Sequence, residues 1–198
     1  MILPIYAFGH PVLRKECDEI ESQYKDLSKL IKDMYETMYS ASGVGLAAPQ
    51  VGLSIRLFIT DATQYALDFK DSKDPEEQRE YENLKNFKKV FINPIIIEET
   101  GDEWGFEEGC LSIPDIRAEV NRQERVVIEY YDENWELKEE TYDGFAARVI
   151  QHEYDHIEGV LFTDLVNPVR KRLIQNRLKR IKEGNIETRY KMKFLKQR

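Results

Sequence analysis

The sequence predicts an α+β protein, with antiparallel strands filling the middle of the chain and helices at either end. Three observations carry that reading. Leu27, Leu30, Ile31, Met34 and Met38 recur at the spacing of one helix face early in the chain. Apolar and β-branched runs separated by turn residues occupy the middle, with Asp132-Glu133-Asn134 marking a hairpin between two of them. A second helix carries QHEYDHIEG, Gln151 to Gly159, near the end. The 198 residues contain no Pro/Ser/Gly-rich linker and suit one domain; 41% hydrophobic and 33% charged residues argue against disordered and membrane-spanning classes.

Taken in order, the opening MILPIYAFGHPVL is apolar but has no basic flank and is broken by Pro4, Gly9 and Pro11, so no export signal is expected and the cytoplasm is the predicted location. Cys17 and Cys110 are too few for a disulfide framework and are expected to be thiols. The first helix is predicted from about Tyr24 to Ser40, its charged residues mostly off the apolar stripe and Ser42-Gly43 ending it. GVGLAAPQVG, Gly43 to Gly52, reads as a tight turn whose small residues let the backbone approach a neighbour closely. No Gly-Lys-Ser/Thr follows, which excludes a phosphate loop and leaves Gln50 as a candidate site residue.

Ser54 to Thr60 is predicted to be a buried strand, and the heavily charged Asp61 to Lys89 a partly mobile surface excursion. Short strands are then expected at Val90 to Ile97, interrupted by Asn93-Pro94, at Glu103 to Glu107, and at Arg125 to Tyr131 and Glu136 to Tyr142. The second helix begins near Asp143 or Gly144 and stops at Gly159.

The chemistry centres on that helix. His152 and His156, two of the three histidines, stand four residues apart and so share one face, where two imidazoles can converge on one divalent ion. Glu153, turned about 100° aside, is placed to act as a general base and not as a ligand. The bland alternative is a surface helix whose histidines meet no metal. For a third ligand, the metzincin pattern would need histidine where Phe162 stands, and Glu183 lies unsupported in a basic segment. Cys110, within EGCLSIP (Glu108 to Pro114) and beside Gly109, is better placed, although a free cysteine is often just a buried hydrophobe.

The net charge of −8 hides an asymmetry: Val169 to Arg198 holds 12 Lys/Arg against 2 Asp/Glu, whereas the residues upstream hold 17 against 35. A basic tail on an acidic body either tracks the phosphates of a nucleic acid or packs its basic face on that body.

GVGLAAPQ, EGCLSIP and QHEYDH, in this order, resemble the three signature motifs of the peptide deformylase family, bacterial type. ILPI, GHPVLR and ETMYSASG extend the resemblance over most of residues 1–170. It implies antiparallel sheets wrapped around a central helix carrying the HExxH pattern, with a C-terminal helix. On that pattern residues 1–168 form the catalytic domain, 61–89 an unusually long charged insertion, and 169–198 a basic helical extension. The implied ligands are Cys110, His152 and His156 with water in the fourth position. The implied ion is Fe2+, for which Zn2+, Ni2+ or Co2+ can substitute. Glu153 would handle the proton, while the Gln50 side chain and the Leu111 backbone N–H would hold the oxyanion. Gly45 would offer backbone contact, Val44, Leu46, Val149 and His152 would wall a methionine pocket, and Arg117 and Arg148 would either meet the peptide near the entrance or be ion-paired. The implied reaction removes formate from N-formylmethionyl nascent peptides. A monomer is expected, with ribosome contact through the tail. Two rivals are a general zinc metallopeptidase and a non-catalytic, metal-stabilised RNA-binding module.

Overall fold

The computed structural model describes residues 1–195; the last three residues of the expected tail helix lie outside the described residues. The chain opens with β1 (Ile5–Tyr6) and a 3-10 turn at Pro11–Arg14. Helix α1 (Leu27–Ser40) buries Leu27, Ile31, Met34 and Met38 of the predicted stripe and leaves Leu30 half-buried. It starts three residues later than about Tyr24 because Asp26, at φ 59, is left-handed and breaks the pattern before it. The Gly43 N–H closes the helix on the Met38 carbonyl.

The segment read as a tight turn is a short strand, β2 (Gly45–Ala47), running into a 3-10 turn at Ala48–Val51. β3 (Leu57–Asp61) follows. The supposedly mobile excursion is folded: it forms α2 (Thr63–Ala66) and α3 (Pro75–Leu84), and it buries Ala66, Leu84 and Phe87 in the main core. A few apolar anchors in a charged background do not register in composition, yet the larger two, Leu84 and Phe87, contribute about 1.5–3 kcal/mol each.

The remaining strands are β4 (Lys88–Cys110), β5 (Ile113–Tyr131) and β6 (Leu137–Asp143). The sheet order is β2-β3-β4-β5-β6, every neighbouring pair antiparallel. The strands expected as separate short pieces, Val90 to Ile97 and Glu103 to Glu107, are one ribbon of 23 residues. Asn93-Pro94, which reads as a break, is a bulge with Asn93 at φ 49, and further register shifts follow at Ile96/Glu98 and Thr100/Glu103. Bulges bend a strand and increase its twist, so the ribbon curls where it would otherwise end.

That curl wraps the sheet around α4 (Gly144–Ile157), whose Ala146, Ala147, Val149, Ile150 and Ile157 pack against Phe58, Phe91, Val126 and Ile128. Helix α3 braces this helix: Glu80 accepts from the Phe145 N–H at 2.8 Å, and Arg79 and Asn83 bond Asp143. After α5 (Phe162–Leu165), α6 (Pro168–Lys182) buries Ile174, Leu178 and Ile181 against β5 and the N-terminal segment. Among the described residues, the tail expected to be helical is helical only as far as Lys182. Gly184, at φ 69, ends α6, and the chain returns as β7 (Met192–Lys193), parallel to β1.

Candidate active site

Helix α4 carries three buried groups, His152, Glu153 and His156, which are 8%, 4% and 1% exposed; the first two line one cleft and His156 lies behind it. Buried polar groups call for partners; His152 has one in Glu108, whereas Glu153 Oε2 and His156 Nδ1 have none among the described residues. Cys110 arrives from the end of β4, where Cys110 pairs with Ile113 and leaves Leu111 and Ser112 as a two-residue turn. One donor atom each from Cys110, His152 and His156 lie within 4.8 Å of one another, and Cys110 Sγ is 3.2 Å from His156 Nε2.

A thiol and two imidazoles are the donors that zinc and similar transition ions take, and three protein ligands leave a fourth position for reaction. The buried Glu153 Oε2 has no hydrogen-bond partner among the described residues, although it lines the same cleft. Donor chemistry and the orphaned oxygen together fit a bound divalent ion with water beside it. Burial pushes the Glu153 carboxyl up to about 7.

His152 is held from behind: its Nδ1 lies 2.9 Å from Glu108 Oε2, which turns Nε2 toward the cleft. Glu108 also accepts from Arg122 at 2.7 and 3.1 Å and from Arg148 at 3.0 Å. Burial alone would raise its carboxyl, but hydrogen bonds and charge from His152 and Arg122 outweigh that and hold it far below the ordinary range. Arg122 reaches on to Asp155 at 2.8 Å.

Gln50 is 1% exposed and directed by the backbone. The Ala47 N–H donates to its Oε1 at 2.8 Å, leaving Nε2 3.5 Å from Cys110 Sγ and 3.4 Å from Ser112 Oγ. Gly45 is required by Glu153: a Cβ there would stand 2.4 Å from Glu153 Oε1.

The cleft measures about 890 Å³, and Val44, Gly45, Arg117 and Val149 line it. Leu46 does not. It points away into the core beneath α1, because alternate residues of β2 face opposite sides of the sheet. Arg148 borders the cleft but is 2% exposed, and both its Nη atoms are bonded, to Glu108 and to the carbonyls of Val120 and Trp104, so of its two readings the ion-paired one holds.

Three groups escaped the sequence reading. Glu108 stands two residues before Cys110 on a strand, hence on the same side of it, a signal available within EGCLSIP. The insertion sends Tyr65 to the cleft, stacked on Phe145 at 4.3 Å, and nothing in its charged surroundings announces this. Glu187 to Tyr190 form a further wall; Tyr190-Lys-Met-Lys-Phe194 alternates as a half-buried strand does, which was the clue.

A sequence-family model described as polypeptide deformylase matches residues 2–172. A protein of Christiangramia forsetii named peptide deformylase is 56% identical over 196 residues, spanning 98% of this chain and 96% of its own length. One of Flavobacterium psychrophilum with the same name is 56% identical over 195 residues, covering 98% of both chains. Among solved structures, a peptide deformylase from Legionella pneumophila superposes with a TM-score of 0.77 at 34% identity, covering 95% of this chain and 99% of its own. The Thermotoga maritima peptide deformylase gives a TM-score of 0.70 at 39% identity, over 85% of this chain and 99% of its own.

Proposed function

The chain belongs to the polypeptide deformylase family, metal-dependent hydrolases that remove the N-formyl group from nascent polypeptides, and from that premise we propose how its own residues do so. Cys110, His152 and His156 hold the ion, which is Fe2+ in the cell and can be replaced by Zn2+, Ni2+ or Co2+. When bound, the ion supplies Lewis acidity and lowers the pKa of water toward neutrality. The observation that carries the reading is the convergence of that donor set with a buried carboxylate, Glu153, at one cleft.

Glu153 takes a proton from the attacking water and returns it to the departing amine, a task suited to a carboxyl raised toward neutrality by burial. The Gln50 amide and the Leu111 N–H stabilise the oxyanion, where fixed donors are most effective. Glu108 keeps His152 in one tautomer and one orientation. Val44, Gly45 and Val149 receive the methionine end of the peptide, with Arg117 exposed at the rim for the residues beyond it.

The test is formate release from formyl-Met-Ala-Ser by anaerobically prepared protein, with metal content measured on each sample. Wild type loaded with iron releases formate, and Glu153→Gln binds the same metal without turning over. Release of amino acids from unformylated peptides with no formate would instead indicate a general peptidase, and an active Glu153→Gln would remove the assigned base. Zinc-loaded protein serves as the comparison for metal identity.

No helix among the described residues is long and apolar enough to cross a membrane. We place the protein in the cytoplasm as a monomer, since one chain carries every group used above. The exposed Lys171, Arg172 and Lys179 of α6 support contact with ribosomal RNA. Reversing these three charges is expected to weaken ribosome co-sedimentation at low salt, and unchanged co-sedimentation would dispose of the contact.

A further inference from the structure

We propose that Tyr190 is a positioning residue for deformylation, holding the Leu111–Ser112 turn so that the Leu111 N–H faces the reacting carbonyl. The proposal rests on the reading of Leu111 as an oxyanion donor.

A two-residue turn between long strands leaves backbone groups without ladder partners, and each needs another one. Here the partners come from both far ends of the chain. The Tyr190 hydroxyl donates to the Leu111 carbonyl at 2.7 Å, across 79 positions of sequence. The Phe8 N–H donates to the next carbonyl, that of Ser112, at 2.8 Å. Gln50 Nε2 lies 3.4 Å from the Ser112 hydroxyl. Two successive carbonyls of the turn are therefore pinned, which limits rotation of the peptide units on either side of Ser112; the Leu111 N–H lies in the preceding unit, so Tyr190 acts on it by holding the unit that shares the Leu111 Cα.

Tyr190 is itself firmly mounted. Its carbonyl accepts from the Thr188 hydroxyl at 2.9 Å. Immediately beyond, the Ile5 N–H donates to the Lys191 carbonyl and the Ala7 N–H to that of Lys193, both at 2.9 Å. Met192 and Phe194 pack against the core beneath α6. Burial raises the Tyr190 phenol far above its ordinary range, so at neutral pH it remains a donor. A ring held this rigidly is a fixed support, and pre-organisation of the donor is what makes an oxyanion site effective.

The experiment compares wild type and Tyr190→Phe, which keeps the ring and removes only the hydroxyl. Steady-state formate release from formyl-Met-Ala-Ser should show kcat reduced about three- to tenfold, the range of one neutral hydrogen bond expressed in the transition state. KM should stay within about twofold, and metal content should match wild type. Amide hydrogen exchange across residues 110–112 should quicken in the variant, a readout independent of turnover. Unchanged kcat overturns the proposal while leaving the oxyanion reading intact, and so does a loss confined to KM, which would make Tyr190 a peptide contact. Unchanged exchange at the turn overturns it as well. If wild type releases no formate, the functional reading fails first, whatever the exchange data show.

Discussion

Replacing Gly45 by alanine adds one methyl group where the structure has no room for it. The new Cβ would lie 2.4 Å from Glu153 Oε1 and 2.8 Å from both its Cδ and its Cγ. Carbon contacts are comfortable only from about 3.5 Å, so the carboxylate must withdraw by about 1 Å. Glu153 is 4% exposed, and its helix is backed by the core, so the side chain has little space to yield into. Gly45 is not among the positive-φ residues, so the backbone accepts alanine and the effect is steric alone. A displacement of about 1 Å at a reacting group can reduce the rate about 10²-fold. Overpacking of this kind destabilises by about 1–3 kcal/mol, which in a chain of this size lowers Tm by about 2–4 °C per kcal/mol. The assay is kcat for formate release by iron-loaded Gly45→Ala, with iron content and Tm recorded together. Iron should be retained, because the three atoms nearest the added methyl all belong to Glu153. Adding Glu153→Gln to this variant should cost far less than it does in wild type, since both changes disable one group. A folded, iron-loaded Gly45→Ala with kcat within about threefold of wild type would refute the claim that the Glu153 carboxylate must occupy its present position.

Other expectations can be checked on the same protein. Gln50→Ala should lower kcat about 10²–10³-fold, equivalent to about 3–4 kcal/mol, with KM little changed. Glu108→Gln should weaken metal affinity about 10–100-fold in chelator competition, because His152 loses its orienting carboxylate. The same variant should lose about 3–5 kcal/mol in denaturant melts, since the buried Arg122 and Arg148 lose a charge partner. Glu140 supplies a pH test. Burial alone would raise its carboxyl, but hydrogen bonds from Tyr130, Tyr142 and Lys89 outweigh that and depress it. A depressed carboxylate contributes stability above its unfolded pKa and loses it as pH falls through the folded value. Wild-type Tm should therefore drop more steeply with acid below about pH 4.5 than that of Glu140→Gln.

Helices α1 and α4, with the histidine pair, were legible because their signals are local. His152 and His156 declare their shared face by spacing, and the stripe from Leu27 to Met38 needs only five positions to be read. Cys110 and Gln50 could be placed by resemblance, and the fold then delivers both to the same cleft. Features set by distant pairing were hidden. The β4–β5 ribbon depends on cross-strand partners that carry it through Asn93-Pro94, whereas a single strand would stop there. Leu46 was misplaced because nothing local says which face of a three-residue strand looks inward. The insertion was misread for a related reason: Glu80, Leu84 and Phe87 matter through what they meet, the first turn of α4 and the main core.

The pairing of Ile5 and Tyr6 with Met192 and Lys193 also sets an order of events during synthesis. A contact between residues so far apart forms only after nearly the whole chain is available, and such contacts are slow to find. The metal helix and most of the sheet can be complete while β1 still has no partner. At that stage Glu187 to Tyr190 do not yet wall the cleft, and the turn at Leu111 lacks one of its supports. Competence thus comes late: a chain interrupted after α6 would carry the three ligands and the general base but an unfinished cleft.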